Sequence, residues 1–363
     1  MKKIIFITLT LGNAGAERVS SLLIDYWAKN GYEVTVVQTE GDDTAANYPM
    51  ESMINYHFVH SKSRFMPMKR IEDALQVAKI LKQNPEAVGI AFIRRSILTL
   101  ALAATLSRSK YIVSERNDPR SVPKGRIAKA IRNLIFSRAD ACVFQTDEAK
   151  SYFPEIVQKK GYVIPNPINN NLPDINRGTR RKRVIAVCRL SPQKNLEMLV
   201  NAYASIASDF PEYTLEIYGK GPVENKLKAQ IQALNMNDKI ILRGFSDDVF
   251  KEMNDAVVYV SSSNYEGISN SMLEALAMGM TCIVTDCPAG GARMVIESGV
   301  NGILVPVNDE KRMSEAIASV LSDEKMATEM AKEAEKIRHA FSINQIGDAW
   351  IEVFDHVSSQ RIQ

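Results

Sequence analysis

Short apolar runs rich in β-branched residues alternate with helical patterns along this chain, and this alternation constrains the fold more than any other feature. Such an order is typical of βαβ units, in which helices join parallel strands. The first half predicts strands at Lys3–Leu9, Glu33–Gln38, Asn55–Val59, Val88–Ile93, Tyr111–Ser114, Ala141–Phe144 and Tyr162–Ile164. The first helix is expected to begin near Glu17, where apolar residues start to recur at helical spacing. Residues 1–165 are therefore predicted to form a doubly wound α/β domain.

A stretch rich in Pro and Asn, Pro165–Pro173, interrupts the pattern and predicts a linker over residues 166–183. The linker ends in the basic run Arg180–Arg183, which we interpret as a solvated domain edge. The alternation restarts over residues 184–341, with strands predicted at Val184–Cys188, Thr214–Tyr218, Ile240–Arg243, Val257–Val260, Cys282–Thr285 and Gly302–Val305. Helices are predicted near Leu196–Phe210, Val223–Leu234, Ser271–Met278 and Glu310–Leu321. The sequence thus predicts a second doubly wound parallel-sheet domain.

The last segment, residues 342–363, predicts a helix from Ser342 to about Ser358, with a Ser N-cap and an apolar stripe. No strand follows this helix, so its stripe must pack on something already formed. We expect it to cross back to the first domain.

Length and charge agree with two globular domains and argue against a nucleic-acid partner. A chain of 363 residues suits two domains of about 100–200 residues each. The formal net charge is only +3, which is too small to indicate nucleic-acid binding. The charge is unevenly distributed, because residues 1–170 contain 24 Lys/Arg and 16 Asp/Glu whereas residues 171–363 contain 21 and 26. The first domain is predicted to be basic and the second acidic.

The four cysteines and the N-terminus bear on location. The cysteines form no CxxC pair and have no His at zinc-like spacing, so we expect free thiols in a reducing compartment and no structural metal. No apolar stretch is long enough for a transmembrane helix. The N-terminus resembles a signal peptide, with Lys2 and Lys3 followed by an apolar run. The α/β alternation downstream favours a buried first strand instead. A cytoplasmic protein is expected, with the inner face of the cell membrane as a candidate location.

The stretch Tyr265–Gly279 carries the strongest chemical signal. Glu266 lies in a loop after a predicted strand, and Glu274 lies about one turn inside the next helix. Small side chains, backbone N–H groups and helix-start hydroxyls come between them, from Gly267, Ile268, Ser269, Asn270 and Ser271. A helix N-terminus suits a phosphate, and a helical Glu can accept hydrogen bonds from a ribose diol. The competing interpretation is a capped helix whose acids complement its dipole.

Two other turns after predicted strands could meet a phosphate. Arg189 and Lys194 flank a strand-to-helix turn, where a planar fork and a mobile cation can converge on one diphosphate. Without an acidic ribose site they would be read as surface charges. The turn at Gly219 allows a close backbone approach but is weak evidence by itself. The glycine loop before Glu17, which contains Gly15, lacks the spacing of a dinucleotide fingerprint.

Together these motifs resemble the retaining glycosyltransferases of family 4, which have the GT-B fold and include enzymes of bacterial capsule, lipopolysaccharide and lipid-linked oligosaccharide synthesis. The resemblance rests on segments spread over nearly the whole chain: Gly15–Arg18, Asn166-Pro167, Arg189–Asn195, the pair Glu266 and Glu274, and Asp286–Pro288 with Gly290. It is strongest to transferases that add N-acetylhexosamine, such as N-acetylgalactosamine, or galactose to polyprenyl-diphosphate-linked sugars. It implies two Rossmann-like domains facing each other across a cleft, with the acceptor on the first domain and the nucleotide-sugar on the second.

The resemblance also implies roles for individual residues. Arg189 and Lys194 would hold the donor diphosphate, Glu274 the ribose, and Glu266 the hydroxyls of the transferred sugar. These assignments make Glu266, Arg189 and Lys194 the catalytic candidates. The donor site would be completed by Gly15, Gly219, Gly267–Ser271 and the segment Arg243, Gly244 and Phe245, the last beside the base.

Two positions depart from the family pattern, and both lie on the acceptor side. Ala14 stands where relatives usually have the first of two glycines, so an extra methyl would narrow the cleft. Where many members place a His facing the sugar, this chain has Ser114-Glu115-Arg116, so either Glu115 or Arg116 takes that place.

We therefore expect a retaining transfer of a sugar from a nucleotide diphosphate, a UDP-sugar in particular, to a glycan or polyprenyl-diphosphate-linked acceptor. No D-x-D motif occurs in the sequence. We interpret the pairs Asp42-Asp43 and Asp247-Asp248 as acids of a loop and of a helix start. Neither a metal nor another cofactor is therefore expected. Basic and apolar residues around Lys69 and Lys129 suggest peripheral association with an anionic membrane. The alternative interpretation is a basic face that is only solvated. An oxidoreductase and a non-catalytic sugar-nucleotide-binding subunit of a transferase complex are the alternatives.

Overall fold

The computed structural model describes residues 2–12, 15–41, 50, 53–63 and 65–360. The chain divides into two compact units. The first contains Met1–Pro167 and Ser342–Gln363, and the second contains Ile168–Phe341. Each unit has its own parallel sheet with helices on both faces, as expected for doubly wound α/β domains.

The first unit has a sheet of seven parallel strands in the order β3-β2-β1-β4-β5-β6-β7. The strands are β1 (Lys2–Thr8), β2 (Tyr32–Gln38), β3 (Asn55–Phe58), β4 (Val88–Ala91), β5 (Tyr111–Glu115), β6 (Ala141–Phe144) and β7 (Gly161–Val163). The helices are α1 (Gly15–Lys29), α2 (Met66–Gln83), α3 (Arg94–Ser107), α4 (Arg126–Arg138), α5 (Asp147–Ser151) and α6 (Glu155–Gln158). The strand order reverses between β1 and β4, which is where ligands bind in open α/β sheets.

The second unit has a sheet of six parallel strands in the order β10-β9-β8-β11-β12-β13. The strands are β8 (Arg181–Val187), β9 (Thr214–Tyr218), β10 (Ile240–Gly244), β11 (Ala256–Ser261), β12 (Thr281–Thr285) and β13 (Ile303–Val305). The helices are α7 (Leu196–Ala204), α8 (Glu224–Ala233), α9 (Val249–Asn254), α10 (Asn270–Ala277), α11 (Glu310–Ser322), α12 (Glu324–Ala334) and α13 (Ile337–Ala340). The predicted architecture of two parallel-sheet domains is confirmed. One predicted helix is too long, since α7 ends at Ala204 and the chain then turns.

The basic run before the second sheet corrects one interpretation. Strand β8 begins at Arg181 rather than Val184, so the run belongs partly to the sheet. Arg183 is buried and its Nη1 lies 3.0 Å from Oε2 of Glu216. Arg180 donates hydrogen bonds to main-chain carbonyls, including that of Gly279 at 2.8 Å. The interpretation as a solvated edge is therefore wrong for Arg180 and Arg183, because buried acceptors on neighbouring strands and loops accept their hydrogen bonds.

The C-terminal helix α14 (Ile343–Ser359) packs on the first unit, as expected. Ser342 caps it by accepting a hydrogen bond from the N–H of Gln345. Its buried face includes Trp350 and Phe354, whose rings lie 5.8 Å and 4.9 Å from that of Trp27. Within the described ranges, no helix has the length and apolar character needed to cross a membrane.

Candidate active site

Two loops at the carboxyl ends of β8 and β11 bring Lys194 and Glu266 together. Nζ of Lys194 lies 2.5 Å from Oε2 of Glu266, although the two residues are 72 positions apart. Both side chains are mostly buried, with 15% and 21% exposed. The hydroxyl of Ser263 also donates to Glu266, at 3.3 Å. A cation and an anion are thus fixed at the sheet edge where α/β proteins bind ligands.

The protonation of Lys194 depends on this pairing. Burial disfavours the charged ammonium, but the adjacent Glu266 carboxylate outweighs burial and raises the pKa of Lys194 above its ordinary value of 10.5. Lys194 is therefore a cation at neutral pH and is suited to an anionic ligand.

Backbone and amide hydrogen bonds join the same two loops and hold this geometry. The N–H of Asn264 donates to the carbonyl of Gln193 at 2.8 Å, and Nε2 of Gln193 donates to the carbonyl of Tyr265 at 2.9 Å. The hydroxyl of Ser262 donates to the carbonyl of Lys194 at 2.8 Å. Hydrogen bonds between the two loops therefore fix the position of Lys194.

The N-terminus of α10 follows directly and has a side-chain cap. Ser269 accepts a hydrogen bond from the N–H of Met272, and the hydroxyls of Tyr259 and Ser271 share a hydrogen bond of 2.8 Å. Glu274 lies inside the helix and is only 3% exposed. The loop before the helix is tightly packed, because a Cβ on Gly291 would lie 1.8 Å from the carbonyl oxygen of Gly267.

Arg189 is exposed in the loop after β8 and forms no ion pair or side-chain hydrogen bond with any described residue. Its loop is held by the glycine turn after β9. A Cβ on Gly219 would lie 1.9 Å from the carbonyl oxygen of Cys188, and one on Gly221 would lie 2.1 Å from that of Leu190. These glycines therefore allow close backbone packing that supports the Arg189 loop, a role that the sequence did not indicate.

The segment after β10 combines a fixed cation with an exposed ring. Nη2 of Arg243 lies 2.7 Å from Oε1 of the buried Glu216, which also pairs with Arg183. Gly244 has φ +72°, and Phe245 is 59% exposed. Such a ring is available to stack on a planar base. Sequence reasoning missed Glu216, although a lone acid in an otherwise apolar strand was a signal that it needs a cation.

In the first unit, Gly15 is the first residue of α1, and Ala14 lies outside the described residues. Glu115 and Arg116 lie at the carboxyl end of β5. Burial raises the pKa of Glu115 to about 7, against the opposing effect of Arg132. Burial also lowers the pKa of Arg116 to about 9, which leaves it a cation at neutral pH. The Arg116 guanidinium lies over the Phe92 and Trp350 rings, 4.3 Å and 5.4 Å from their centroids.

Comparison with known proteins follows the same division of the chain. The family model described as Glycosyltransferase Family 4 matches residues 13–172, and the model described as Glycosyl transferases group 1 matches residues 168–337. The sequence is 24% identical to the Campylobacter jejuni N-acetylgalactosamine-N,N'-diacetylbacillosaminyl-diphospho-undecaprenol 4-alpha-N-acetylgalactosaminyltransferase, over 94% of this chain and 96% of that one. It is 26% identical to the Bacillus subtilis poly(glycerol-phosphate) alpha-glucosyltransferase over 66% of this chain, which spans only 36% of that relative's length.

Among solved structures, Anabaena HepE in complex with UDP and glucose matches with a TM-score of 0.83 and 16% identity, over 98% of this chain and 100% of that chain. The two parallel-sheet Rossmann-like units and this structural match together assign the chain to the GT-B fold. The chain belongs to the family 4-like glycosyltransferases of the GT-B fold.

Proposed function

We propose that this chain transfers a hexose or N-acetylhexosamine from a UDP-sugar to a glycan or lipid-linked glycan acceptor in polysaccharide biosynthesis, with retention of the anomeric configuration. The observation that carries the proposal is the Lys194–Glu266 pair in the second unit, together with the capped start of α10. The C. jejuni relative, whose name gives a diphospho-undecaprenol-linked sugar as its acceptor, supports a lipid-linked glycan acceptor.

The main chemical requirement is to stabilise charge on the departing diphosphate. As the bond from the sugar C1 to the phosphate oxygen breaks, negative charge grows on that oxygen. Arg189, Lys194 and the N–H groups at the start of α10 would meet this charge with donors already in place. Glu266 holds Lys194 before the donor binds and would then contact the sugar hydroxyls. We propose that these cations make a divalent metal unnecessary, so a chelator should leave the transfer rate unchanged.

Glu266 and Glu274 are not proposed as a hydrolase-like acid and base. Glu274 is buried inside α10 and is assigned to the ribose. In a retaining reaction on one face of the sugar, the leaving diphosphate oxygen would take the proton of the acceptor hydroxyl while the new C1–O bond forms. The acceptor side is assigned to the first unit, with Glu115 or Arg116 near the sugar.

A peripheral membrane location at the cytoplasmic face would suit a lipid-linked acceptor. The basic first unit supports it, since residues 94–138 contain eleven Lys or Arg and two Asp or Glu. Exposed apolar side chains lie among these cations, including Ile127 and Leu134. Such a surface attracts anionic lipids.

A thermal-shift panel of UDP- and GDP-sugars tests the donor, because a bound donor stabilises the folded state by mass action. A UDP-sugar is expected to raise the melting temperature more than any GDP-sugar, and Glu274→Ala should abolish that shift. Glu224→Ala, which changes a partly exposed Glu that pairs with Lys228 in α8, is the matched control. A larger shift with GDP-sugars would contradict the donor assignment.

Turnover separates the transferase from a non-catalytic binding subunit. The isolated chain is expected to transfer the sugar, or to hydrolyse the donor slowly when no acceptor is present. Donor binding with neither reaction would favour the subunit.

A further inference from the structure

Three side-chain hydroxyls form a hydrogen-bonded series at the start of α10. The hydroxyl of Tyr259, on β11, shares a bond of 2.8 Å with that of Ser271. The hydroxyl of Ser271 shares a second bond, of 3.2 Å, with that of Ser269. Ser269 is also the N-cap of the helix and accepts from the N–H of Met272. We refer to Tyr259, Ser271 and Ser269 as the hydroxyl series.

The inner end of the hydroxyl series is deeply buried. Tyr259 is 1% exposed and belongs to an apolar cluster of the second unit that includes Met272 and Leu273. A phenylalanine would fill the same space, so packing alone does not require the hydroxyl. Among the described residues, Ser271 is the one hydrogen-bond partner of this hydroxyl.

The number of protons sets the direction of these hydrogen bonds. Each hydroxyl supplies one proton, so three protons serve the two bonds of the series and one proton is left over. If that proton were the one on Tyr259, a buried donor would have no acceptor, which is costly. Tyr259 therefore donates to Ser271. The remaining proton belongs to Ser269 or Ser271, which are both half-buried at the helix start, and it is available to a ligand there.

Burial keeps the proton on Tyr259. It raises the pKa of Tyr259 above its ordinary value of 10.0, although the bond to Ser271 and the Lys194 cation both oppose this effect. The phenol is therefore a proton donor throughout the neutral range. The opposing effect of Lys194 also shows that the hydroxyl lies within electrostatic range of the cation of the candidate active site.

A ligand that meets the hydroxyl series at the start of α10 must accept hydrogen bonds. The outer hydroxyl presents a proton, the first N–H groups of the helix present others, and Lys194 supplies a positive charge. Phosphate oxygens match these groups because they accept hydrogen bonds and are negatively charged. Without Tyr259, the Ser271 hydroxyl could rotate and turn an oxygen lone pair toward the same ligand, which would repel it.

We propose that Tyr259 is a positioning residue for the donor diphosphate. By donating to Ser271 from the buried side, it fixes the rotation of the Ser271 and Ser269 hydroxyls. The outer hydroxyl then gives its proton to a phosphate oxygen, and Tyr259 itself touches no ligand. The inference rests on the proposed function, because that function supplies the diphosphate.

Calorimetric titration of the full chain with UDP tests this role, since UDP is the leaving group of the proposed reaction. Tyr259→Phe is expected to bind UDP about tenfold more weakly than the wild type, because a hydrogen bond to a charged group is weakened. The matched control is Tyr203→Phe. Tyr203 is equally buried in the second unit, but its hydroxyl has no hydrogen-bond partner among the described residues, so its removal should leave UDP affinity unchanged.

Ser271→Ala separates positioning from packing. It should weaken UDP binding about as much as Tyr259→Phe, and Tyr259→Phe should have no further effect in the Ser271→Ala background. An effect of Tyr259→Phe that persists in that background would overturn the proposal, because it would not act through Ser271. In the transfer assay, Tyr259→Phe should raise the KM for the UDP-sugar about tenfold and change kcat less than about threefold, whereas partial unfolding would lower kcat and leave KM unchanged.

Lys194→Met keeps this test distinct from that of the proposed function. Unchanged UDP binding in Tyr259→Phe, together with a loss in Lys194→Met, would overturn the inference and leave the proposed function standing. A wild-type chain that binds UDP with the expected losses in the variants, but transfers no sugar, would contradict only the proposed function.

Discussion

At the scale of single residues, Lys194 and Glu266 serve both stability and the proposed reaction, and the two roles can be separated. Lys194→Met leaves a mostly buried Glu266 carboxylate without its cation, so the second unit should lose about 1–3 kcal/mol of unfolding free energy. Sugar transfer should fall about 100-fold or more, since the proposed function assigns this cation to the leaving diphosphate. Chemical denaturation and an initial-rate assay measure the two effects.

A second substitution separates these effects. Lys194→Met/Glu266→Gln removes the uncompensated charge and is expected to regain most of the stability but none of the activity. Lys182→Met, which breaks an exposed pair with Glu212, is the matched control and should cost no more than about 1 kcal/mol. Full activity in the double variant would contradict the assignment of Lys194 to the diphosphate.

Glu115 gives a prediction about pH. Its folded-state pKa of about 7 lies above its ordinary value of 4.5, because burial outweighs the opposing Arg132 cation and acts with the nearby Asp118. The native state therefore binds the proton more firmly, and this contribution to stability is lost as pH rises from about 4.5 through 7. The unfolding free energy of Glu115→Gln relative to wild type should therefore be higher at pH 8 than at pH 5, by on the order of 1–3 kcal/mol.

Urea denaturation at the two pH values measures this difference. Glu155→Gln changes an exposed Glu of the same unit and should show a change of less than about 0.5 kcal/mol between them. If Glu115→Gln differs from wild type by the same unfolding free energy at both pH values, the raised pKa of Glu115 is contradicted.

Single residues also show where sequence reasoning ends. The pattern around Glu266 and Glu274 predicted a loop carboxylate and a helical carboxylate, and the structure has both. The ion pair of Lys194 with Glu266 was not predicted, because no local pattern links residues 72 positions apart. Arg183 was misread for the same reason, since its partners Glu216 and Glu252 come from β9 and α9.

At the scale of elements, the sequence predicted nearly all strands within a few residues, because buried parallel strands read as continuous apolar runs. Boundaries were less certain where tertiary contacts decide them. Strand β8 extends over charged residues because Arg183 finds buried partners, and α7 stops short of the predicted Phe210.

The C-terminal helix is an element whose packing makes a testable claim. Trp350 of α14 is fully buried against Trp27 and also lies under the Arg116 guanidinium. Trp350→Ala should destabilise the first unit by about 3–5 kcal/mol. Both tryptophans of the chain lie in this unit, so the fluorescence of Trp27 reports its unfolding. Glu352→Ala, on the exposed side of α14, is expected to leave the transition within about 0.5 kcal/mol of wild type.

At the scale of the whole molecule, the uneven charge predicts binding to anionic membranes but not to neutral ones. The net charge of +3 hides a basic first half and an acidic second half, and the basic residues lie among exposed apolar side chains of α2, α3 and α4. The chain is expected to sediment with vesicles that contain phosphatidylglycerol and to remain in the supernatant with vesicles of phosphatidylcholine alone.

Matched pairs of cations test whether the first unit causes this binding. Each Lys or Arg near an anionic surface contributes about 1 kcal/mol, so Lys124→Gln/Arg126→Gln should weaken vesicle binding about 10- to 30-fold. Lys311→Gln/Arg312→Gln makes the same change of charge on an exposed helix of the second unit and should bind vesicles like the wild type. Equal loss in both variants would mean that net charge alone attracts the chain, and equal sedimentation with neutral vesicles would remove the electrostatic explanation.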